Sequence, residues 1–294
     1  MRKVVLINSF NYSSYILDCV SSVINQSVAV DLIIVVDDGS ADETVEILKK
    51  KYSSDSRFVL LQKPNAGQLS CFNFVCGLIK DDDLVFFLDA DDLYLLDYVE
   101  NILKNFQLGD EFIFCDAIKF SRLSELVSAV ISKLPPIIID ESAYLTKITG
   151  CWIGSPTSAI VIRGCLFNRL FPYPITTDWI TRADDVIVFG ASLLGATKKY
   201  LPSLGIAYRV HSNNNFYGKK ISYRDMNRRY FKLDRLFSYY WNARYGRKFI
   251  YRFAFKELNC IPKSVRSQFF IPDKIIILLR PIRNYFSLFK ELFK

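Results

Sequence analysis

Asp82-Asp83-Leu84-Val85-Phe86-Phe87-Leu88-Asp89-Ala90-Asp91-Asp92 is an apolar run too short for a helix that ends abruptly in three carboxylates. Apolar character without alternation predicts a central parallel strand covered on both faces, with charge marking its ends. In open α/β sheets, ligands bind outside the carboxyl ends of the strands. Three anions packed this closely repel one another and lose hydration, a cost that a divalent cation among them offsets. Oxygen ligands favour Mg²⁺ or Mn²⁺. The alternative is a turn in which the aspartates cap the following helix.

Working outward, Lys3 to Ile7 is a short β-branched run followed by the polar turn Asn8-Ser9-Phe10-Asn11. Tyr15, Ile16, Cys19, Val20, Val23 and Ile24 recur at helical spacing. Leu32 to Val36 predicts a second strand, which ends in Asp37-Asp38-Gly39-Ser40. Ser40 and Glu43 have the spacing of a capping box for a helix through Leu48. Phe58 to Leu61 predicts a third strand, Lys63-Pro64-Asn65-Ala66-Gly67-Gln68 a turn, and the residues through Ile79 a helix. Strand and helix therefore alternate up to the acidic strand, which implies right-handed crossovers and a mostly parallel sheet. Asn8, Asp38, Asp89 and Asp91 then share one rim.

Beyond Asp92 the pattern predicts a helix over Leu95 to Leu103 and strands over Phe112 to Phe120, Ser158 to Ile162 and Ile206 to Tyr208. Between 121 and 140 it blurs. Asp184-Asp185 opens an apolar helical stretch, where carboxylates serve either as partners of the helix dipole or as functional acids. His211, the only histidine, follows the last strand and is either structural or functional.

Composition narrows the classes. With 294 residues, 51% of them hydrophobic, the chain can bury a full core. The seven cysteines show no Cys-x-x-Cys pair and indicate neither a disulfide framework nor a zinc site. No run approaches the ~18 apolar residues of a membrane-spanning helix. The first strand begins at Lys3 without a secretory h-region, so a cytoplasmic protein is expected. Neither G-x-G-x-x-G nor a Walker loop occurs, which argues against dinucleotide oxidoreductases and P-loop enzymes. Residues 217–294 carry 19 Lys+Arg against 5 Asp+Glu, leaving 19 against 25 for residues 1–216. The two parts face different partners.

Taken together, Asn8-Ser9-Phe10-Asn11, Val36 to Ser40, Asn65-Ala66-Gly67-Gln68 to Asn73, Leu88-Asp89-Ala90-Asp91-Asp92, Asp184-Asp185, and His211 with Asn214 resemble the family 2 inverting glycosyltransferases of the GT-A fold, of the bacterial surface-polysaccharide type. The resemblance implies an α/β fold with a mostly parallel central sheet over residues 1–216. Residues 1–120 would form the nucleotide-sugar half, 121–216 the acceptor half, and 217–294 a basic, aromatic helical extension. It further implies that Asn8, Asp38, Asn65, Gly67 and Asp89 contact the donor nucleotide. Asp91, Asp89 and His211 would hold Mg²⁺ or Mn²⁺. Asp185 would be the catalytic base, with Asp184 beside it. The partners implied are a nucleoside-diphosphate sugar and a glycan or lipid-linked acceptor. Three positions depart from the family pattern: Phe10, Phe72 and Asp184 stand where Tyr, Arg and Glu are common.

Rival readings are a sugar nucleotidyltransferase, which lacks here an early Gly-rich loop for a triphosphate, and a nucleic-acid binder, which the acidic residues 1–216 oppose. The tail, with Tyr230, Phe231, Phe237, Tyr239, Tyr240, Trp241, Phe249, Tyr251, Phe253 and Phe255 among its cations, has two readings of its own. It packs its aromatics on the catalytic domain, or it rests on the anionic inner face of the cytoplasmic membrane.

Overall fold

Strand β1 (Lys3–Ser9) lies between β2 (Leu32–Asp37) and β4 (Leu84–Asp89), parallel to both, and β3 (Phe58–Gln62) extends the parallel set beyond β2. The computed structural model describes residues 1–128, 134–212, 222–246 and 251–268. The crossovers are α1 (Ile16–Ile24), α2 (Thr44–Tyr52) and α3 (Gln68–Phe74). In register, Asn8 lies opposite both Val36 and Asp89, and Ser9 lies opposite Asp37, so the acidic ends of β2 and β4 meet at the end of β1.

After β4 the chain forms β5 (Leu93–Tyr94), α4 (Tyr98–Asn105), β6 (Phe112–Phe120), β7 (Ile137–Ile139), α5 (Ala143–Thr149), β8 (Ile160–Arg163), α6 (Gly164–Leu170), α7 (Asp184–Leu193) and β9 (Lys198–Arg209). The described residues form a nine-stranded sheet in the order β3-β2-β1-β4-β8-β6-β9-β5, with β7 also on β9. Antiparallel β8 joins the first half to β6, and β6 and β9 run parallel to each other. The sheet is thus mixed, with its first four neighbours parallel.

Side-chain alternation along β4 explains its uninterrupted apolar run. Val85 and Phe87 point to the face covered by α3, α6 and α7, while Phe86 and Leu88 point to the face covered by α1, α2 and α4. Both faces are dry, so both sets of positions are apolar.

Several local expectations change. Ser40 does not cap α2: its hydroxyl donates to Asp37 at 2.5 Å and accepts the amide of Asn11 at 2.8 Å. Asp42 instead accepts the Thr44 amide at 3.1 Å, and Glu43 sits at the N-cap position. The aspartates after β4 cap no helix, because β5 follows and α4 starts after Asp97. A short 3₁₀ turn, Thr157–Ala159, precedes β8, which therefore begins at Ile160 rather than Ser158. Strand β9 begins eight residues before Ile206, at Lys198, because β6 and β7 supply partners that no local pattern reveals.

The described part of the tail forms α8 (Tyr223–Tyr245), α9 (Tyr251–Cys260) and α10 (Lys263–Gln268). Leu236, Phe237, Tyr240 and Trp241 of α8, Ala254 and Leu258 of α9, and Val265 of α10 enter the same core as β4 and α7. The Tyr240 hydroxyl donates to the Leu170 carbonyl at 2.6 Å. Glu257 accepts the amides of Tyr144 and Leu145 at 3.1 and 2.7 Å, capping α5 from another helix. Tyr230, Phe231 and Tyr239 remain exposed. Phe249 and residues 286–294 lie outside the described residues. Among the described residues no helix is long and apolar enough to cross a membrane.

Gly164 tests the seam between α6 and the turn before β4. A Cβ there would lie 1.7 Å from the Lys80 carbonyl oxygen, whereas one on Gly77 meets nothing within 4 Å. Gly164→Ala is expected to destabilise by about 1–3 kcal/mol, as overpacked sites do. Gly77→Ala should stay within about 1 kcal/mol of wild type. Urea titration of both variants checks the contrast, and equal midpoints would refute it.

Candidate active site

The rim at the end of β4 contains Asp89, Asp91 and Asp92, which have different surroundings. Asp92 is structural: one oxygen accepts the Ser158 hydroxyl at 2.5 Å and the other accepts the Arg209 amide at 2.9 Å. The Ser158 oxygen also accepts the Asp89 amide at 3.0 Å, tying the end of β4 to the turn before β8. Burial, with Asp91 and Asp89 beside it, pushes the Asp92 carboxyl well above the usual range.

Asp91 is buried, with 8% exposure. Its Oδ2 lies 2.9 Å from His211 Nε2, and the phenol of Tyr12 lies near it. His211 stacks on Tyr15 with ring centroids 4.8 Å apart. The Arg209 guanidinium donates to the Asp91 carbonyl at 2.9 Å and to Asp18 at 3.1 Å. The last residues of β9 are thereby brought over the acidic motif, although about 120 residues separate them in the chain.

Asp89 receives the Gln68 amide at 2.9 Å, and the side-chain amide of Asn8 lies beside it. Burial, then Asp91 and Asp184, push its carboxyl up to about 8, against the lowering effect of those two amides. Asn8 Oδ1, also buried, has no hydrogen-bond partner among the described residues.

Asp38 anchors the loop ahead of α3. Its oxygens accept the amides of Ala66 at 3.0 Å and Gly67 at 2.7 Å, and Lys63 pairs with it. Asn65 is exposed in the same loop. Gly67 has φ 89°, and a Cβ there would lie 2.3 Å from Ile180 Cα. This close approach lets Gln68 and Leu69 donate their amides to the carbonyls of Ile180 and Trp179 at 2.8 and 3.3 Å. The Gln68 side chain completes the link: Oε1 accepts the Ala183 amide at 3.0 Å while Nε2 holds Asp89. One residue thus joins the acidic end of β4 to the acidic start of α7.

The two carboxylates at that start diverge. Asp185, expected as the base, has no exposed surface and is clasped by Arg229 through two bonds of 3.0 and 2.9 Å, with Arg182 at 3.3 Å. Asp184 is partly exposed and is one of the charges acting on Asp89. Burial and the adjacent Asp185 push Asp184 up to about 7, opposed by Arg182, the Asp185 amide and Arg229.

The rim therefore gathers Asn8, Asp89, Asp91, His211 and, across Gln68, Asp184. Asp38 and Gly67 are joined in the adjoining loop, and Asp185 lies behind. Gln68 stood within the quoted sequence motif and was overlooked as a ligand. Arg209 was signalled only by its place two residues before His211, and Arg229 by nothing local. Phe72, where the family often has Arg, is fully buried against Phe87 and Phe171 and offers no cation.

The donor set suits a hard divalent cation: two neighbouring carboxylates, an imidazole, and an unused amide oxygen. Among the described residues no three acidic, His or Cys side chains already converge on one point. In Mg²⁺ sites one or two carboxylates bind the ion, and water and phosphate oxygens complete its shell.

Residues 4–164 match the sequence profile of Glycosyl transferase family 2. An uncharacterized glycosyltransferase of Nostoc sp. is 26% identical over 217 residues, covering 73% of this chain and 66% of the relative. A hyaluronan synthase of Pasteurella multocida is 38% identical over 112 residues, 38% of this chain and 11% of the synthase. The putative glycosyltransferase EpsH of Bacillus subtilis is 24% identical over 210 residues, 70% of this chain and 60% of EpsH. The chain thus spans about two thirds or less of these relatives. In fold, it is similar to S. aureus TarS 1-349 crystallised with UDP, with TM-score 0.55 and 17% identity over 82% of this chain and 65% of that one. The profile covers more than half of the chain and the strands that carry the acidic rim; the chain has a mixed α/β, GT-A-like fold and belongs to glycosyl transferase family 2.

Proposed function

We propose that the protein moves a sugar from a nucleoside diphosphate to a hydroxyl of a glycan or lipid-linked acceptor, with inversion and with Mg²⁺ or Mn²⁺, in the assembly of a surface glycan. The carrying observation is the pairing of the Asp89, Asp91 and His211 cluster with a second, partly exposed carboxylate, Asp184, held opposite it by Gln68. Similarity to a hyaluronan synthase supports the polysaccharide context. TarS was crystallised with UDP and with UDP-GlcNAc, which makes uridine diphosphate sugars the first donors to test.

In this reading Asn8, Asp38, Asn65 and Gly67 line the nucleotide side. Asp91, Asp89 and His211 would hold the cation, which when bound neutralises charge developing on the leaving diphosphate. Asp184 takes the proton from the acceptor hydroxyl as its oxygen bonds to the sugar carbon. Single displacement from the face opposite the diphosphate inverts that carbon. The role passes from Asp185 to Asp184 because a base needs access to the hydroxyl, and Asp185 has no exposed surface and two arginine partners. A basicity near neutrality suits the task.

The membrane surface remains part of the proposal, on a narrower footing. Arg229, Lys232 and Arg235 are engaged within the protein, which leaves Tyr230 and Phe231 with Arg224 and Arg228 as the exposed aromatic and basic face of α8. Each cation near an anionic surface contributes roughly 1 kcal/mol.

Three outcomes are expected. Asp184→Asn should lower turnover by at least ~10²-fold with donor affinity little changed. If Asp185→Asn alone does so and Asp184→Asn turns over normally, the base is Asp185. A panel of nucleotide sugars with Mn²⁺, scored by released nucleoside diphosphate, is the assay.

Thermal melts test the metal. Burial pushes the carboxyls of Asp89 and Asp184 up to about 8 and about 7, above the ordinary value of 3.8. The folded state therefore binds more protons, and the stability it gains is full at acid pH and lost as pH rises through 7 to 8. The metal-free protein should melt at lower temperature at pH 8.5 than at pH 6, and Mn²⁺ with UDP should restore most of the difference in wild type but not in Asp91→Asn. Identical ligand shifts in both proteins would remove Asp91 from the metal site.

Sedimentation with anionic and neutral liposomes should show salt-sensitive binding to the anionic ones that Phe231→Ser with Arg228→Ser weakens. Indifference to both vesicles at low salt rejects the membrane surface.

A further inference from the structure

Residues 178–185, which lead into the Asp184–Asp185 turn, are held from two sides. From α3 come the backbone bonds to Trp179 and Ile180 and the Gln68 side chain on the Ala183 amide. From α8 come three cations at positions 229, 232 and 235, spaced so that they lie along one side of the helix. Arg235 grips the Asp178 carboxylate at 2.9 and 2.6 Å, Lys232 donates to the Asp178 carbonyl at 2.7 Å, and Arg229 clasps Asp185 through two bonds. Both carboxylates are buried, Asp178 with 8% exposure and Asp185 with none. Between the two grips Arg182 has φ 65°, a left-handed conformation that non-glycine residues hold only when their surroundings impose it. The helix itself is seated by Leu236, Phe237, Tyr240 and Trp241 in the core.

We infer that Arg229, Lys232 and Arg235 strap the segment that carries the proposed catalytic base, with Arg229 as a positioning residue that acts through Asp185 on Asp184. Helix α8, which lies outside the family-matched residues 4–164, is then a working part of the active site. The inference rests on the transfer reading for its kinetic consequence, though not for its structural one. Displacing a reacting group by even ~1 Å costs on the order of 10²-fold in rate. A bidentate guanidinium fixes both distance and orientation, as an ammonium cannot.

Hydrogen–deuterium exchange of amides 178–186, which needs no substrate, decides the strap. Exchange there should quicken by about tenfold or more in Arg229→Gln and Arg235→Gln, in line with an opening made easier by loss of a buried ion pair, while the amides of β1 and β4 stay protected. Kinetics decides the positioning role. In Arg229→Gln, kcat should fall on the order of 10- to 100-fold with donor KM nearly constant, and Arg229→Lys should recover part of it. The double variant Arg229→Gln with Asp185→Asn should be no slower than Asp185→Asn alone, because both changes remove one interaction. Unchanged exchange at 178–186 overturns the strap, and additive kinetic losses overturn action through Asp185. Should Arg229→Gln expose every amide, Arg229→Lys and Arg235→Gln carry the comparison. A wild type that releases no nucleoside diphosphate from any donor defeats the transfer reading, and the exchange result still stands or falls alone.

Discussion

Mutual repulsion among the carboxylates at the end of β4 is the constraint to which the surrounding structure answers. Asp89, Asp91 and Asp92 fall within four consecutive positions, and Asp184 approaches from α7. Asp91 and Asp92 are buried and Asp89 and Asp184 partly so, and each charge needs its own compensation. Asp92 receives a hydroxyl and a backbone amide, Asp91 an imidazole with a phenol nearby, and Asp89 the Gln68 amide with that of Asn8 nearby. The compensation is incomplete at Asp89 and Asp184, whose carboxyls are raised into the neutral range. Residual negative potential of this kind is what the proposed cation would neutralise.

Position is maintained by a few long-range ties. Gln68 spans from Asp89 to Ala183, and Ser158 from Asp89 to Asp92. Asp38, at the end of β2, fixes the loop that places Gln68. These side chains hold one another and seal the rim against the sheet, so the cleft inherits the rigidity of the parallel strands beneath it.

Helix α8 extends the same logic. A basic, aromatic helix read from sequence alone divides its residues between a core face, a solvent face and a set of grips on residues 178–185. Its charge is largely internal in use: Arg229, Lys232 and Arg235 meet buried acceptors, and Arg244 meets Glu141. Buried ion pairs contribute little net stability but strongly disfavour loss of one partner, which suits them to fixing geometry.

The parallel β1 to β4 arrangement, the double-sided burial of β4 and the shared acidic rim were legible in the chain because each rests on local periodicity and on strands ending in acid. Asn8, Asp89 and Asp91 followed from that rim alone. Long-range pairing decided the rest. Strand β9 is long because β6 and β7 lie beside it, and Ser40 leaves its helix because Asp37 and Asn11 compete for its hydroxyl. The division of labour between Asp184 and Asp185 is the clearest case. In sequence they are equivalent acids in one helical turn; Arg229, 44 positions away, buries and pairs one and leaves the other facing the cleft. Sequence determines which chemistry is present at a strand end or helix start, since that depends on neighbours in the chain. Tertiary structure determines which of those groups stays solvated and which is paired, since burial and charge compensation come from residues brought together only by folding.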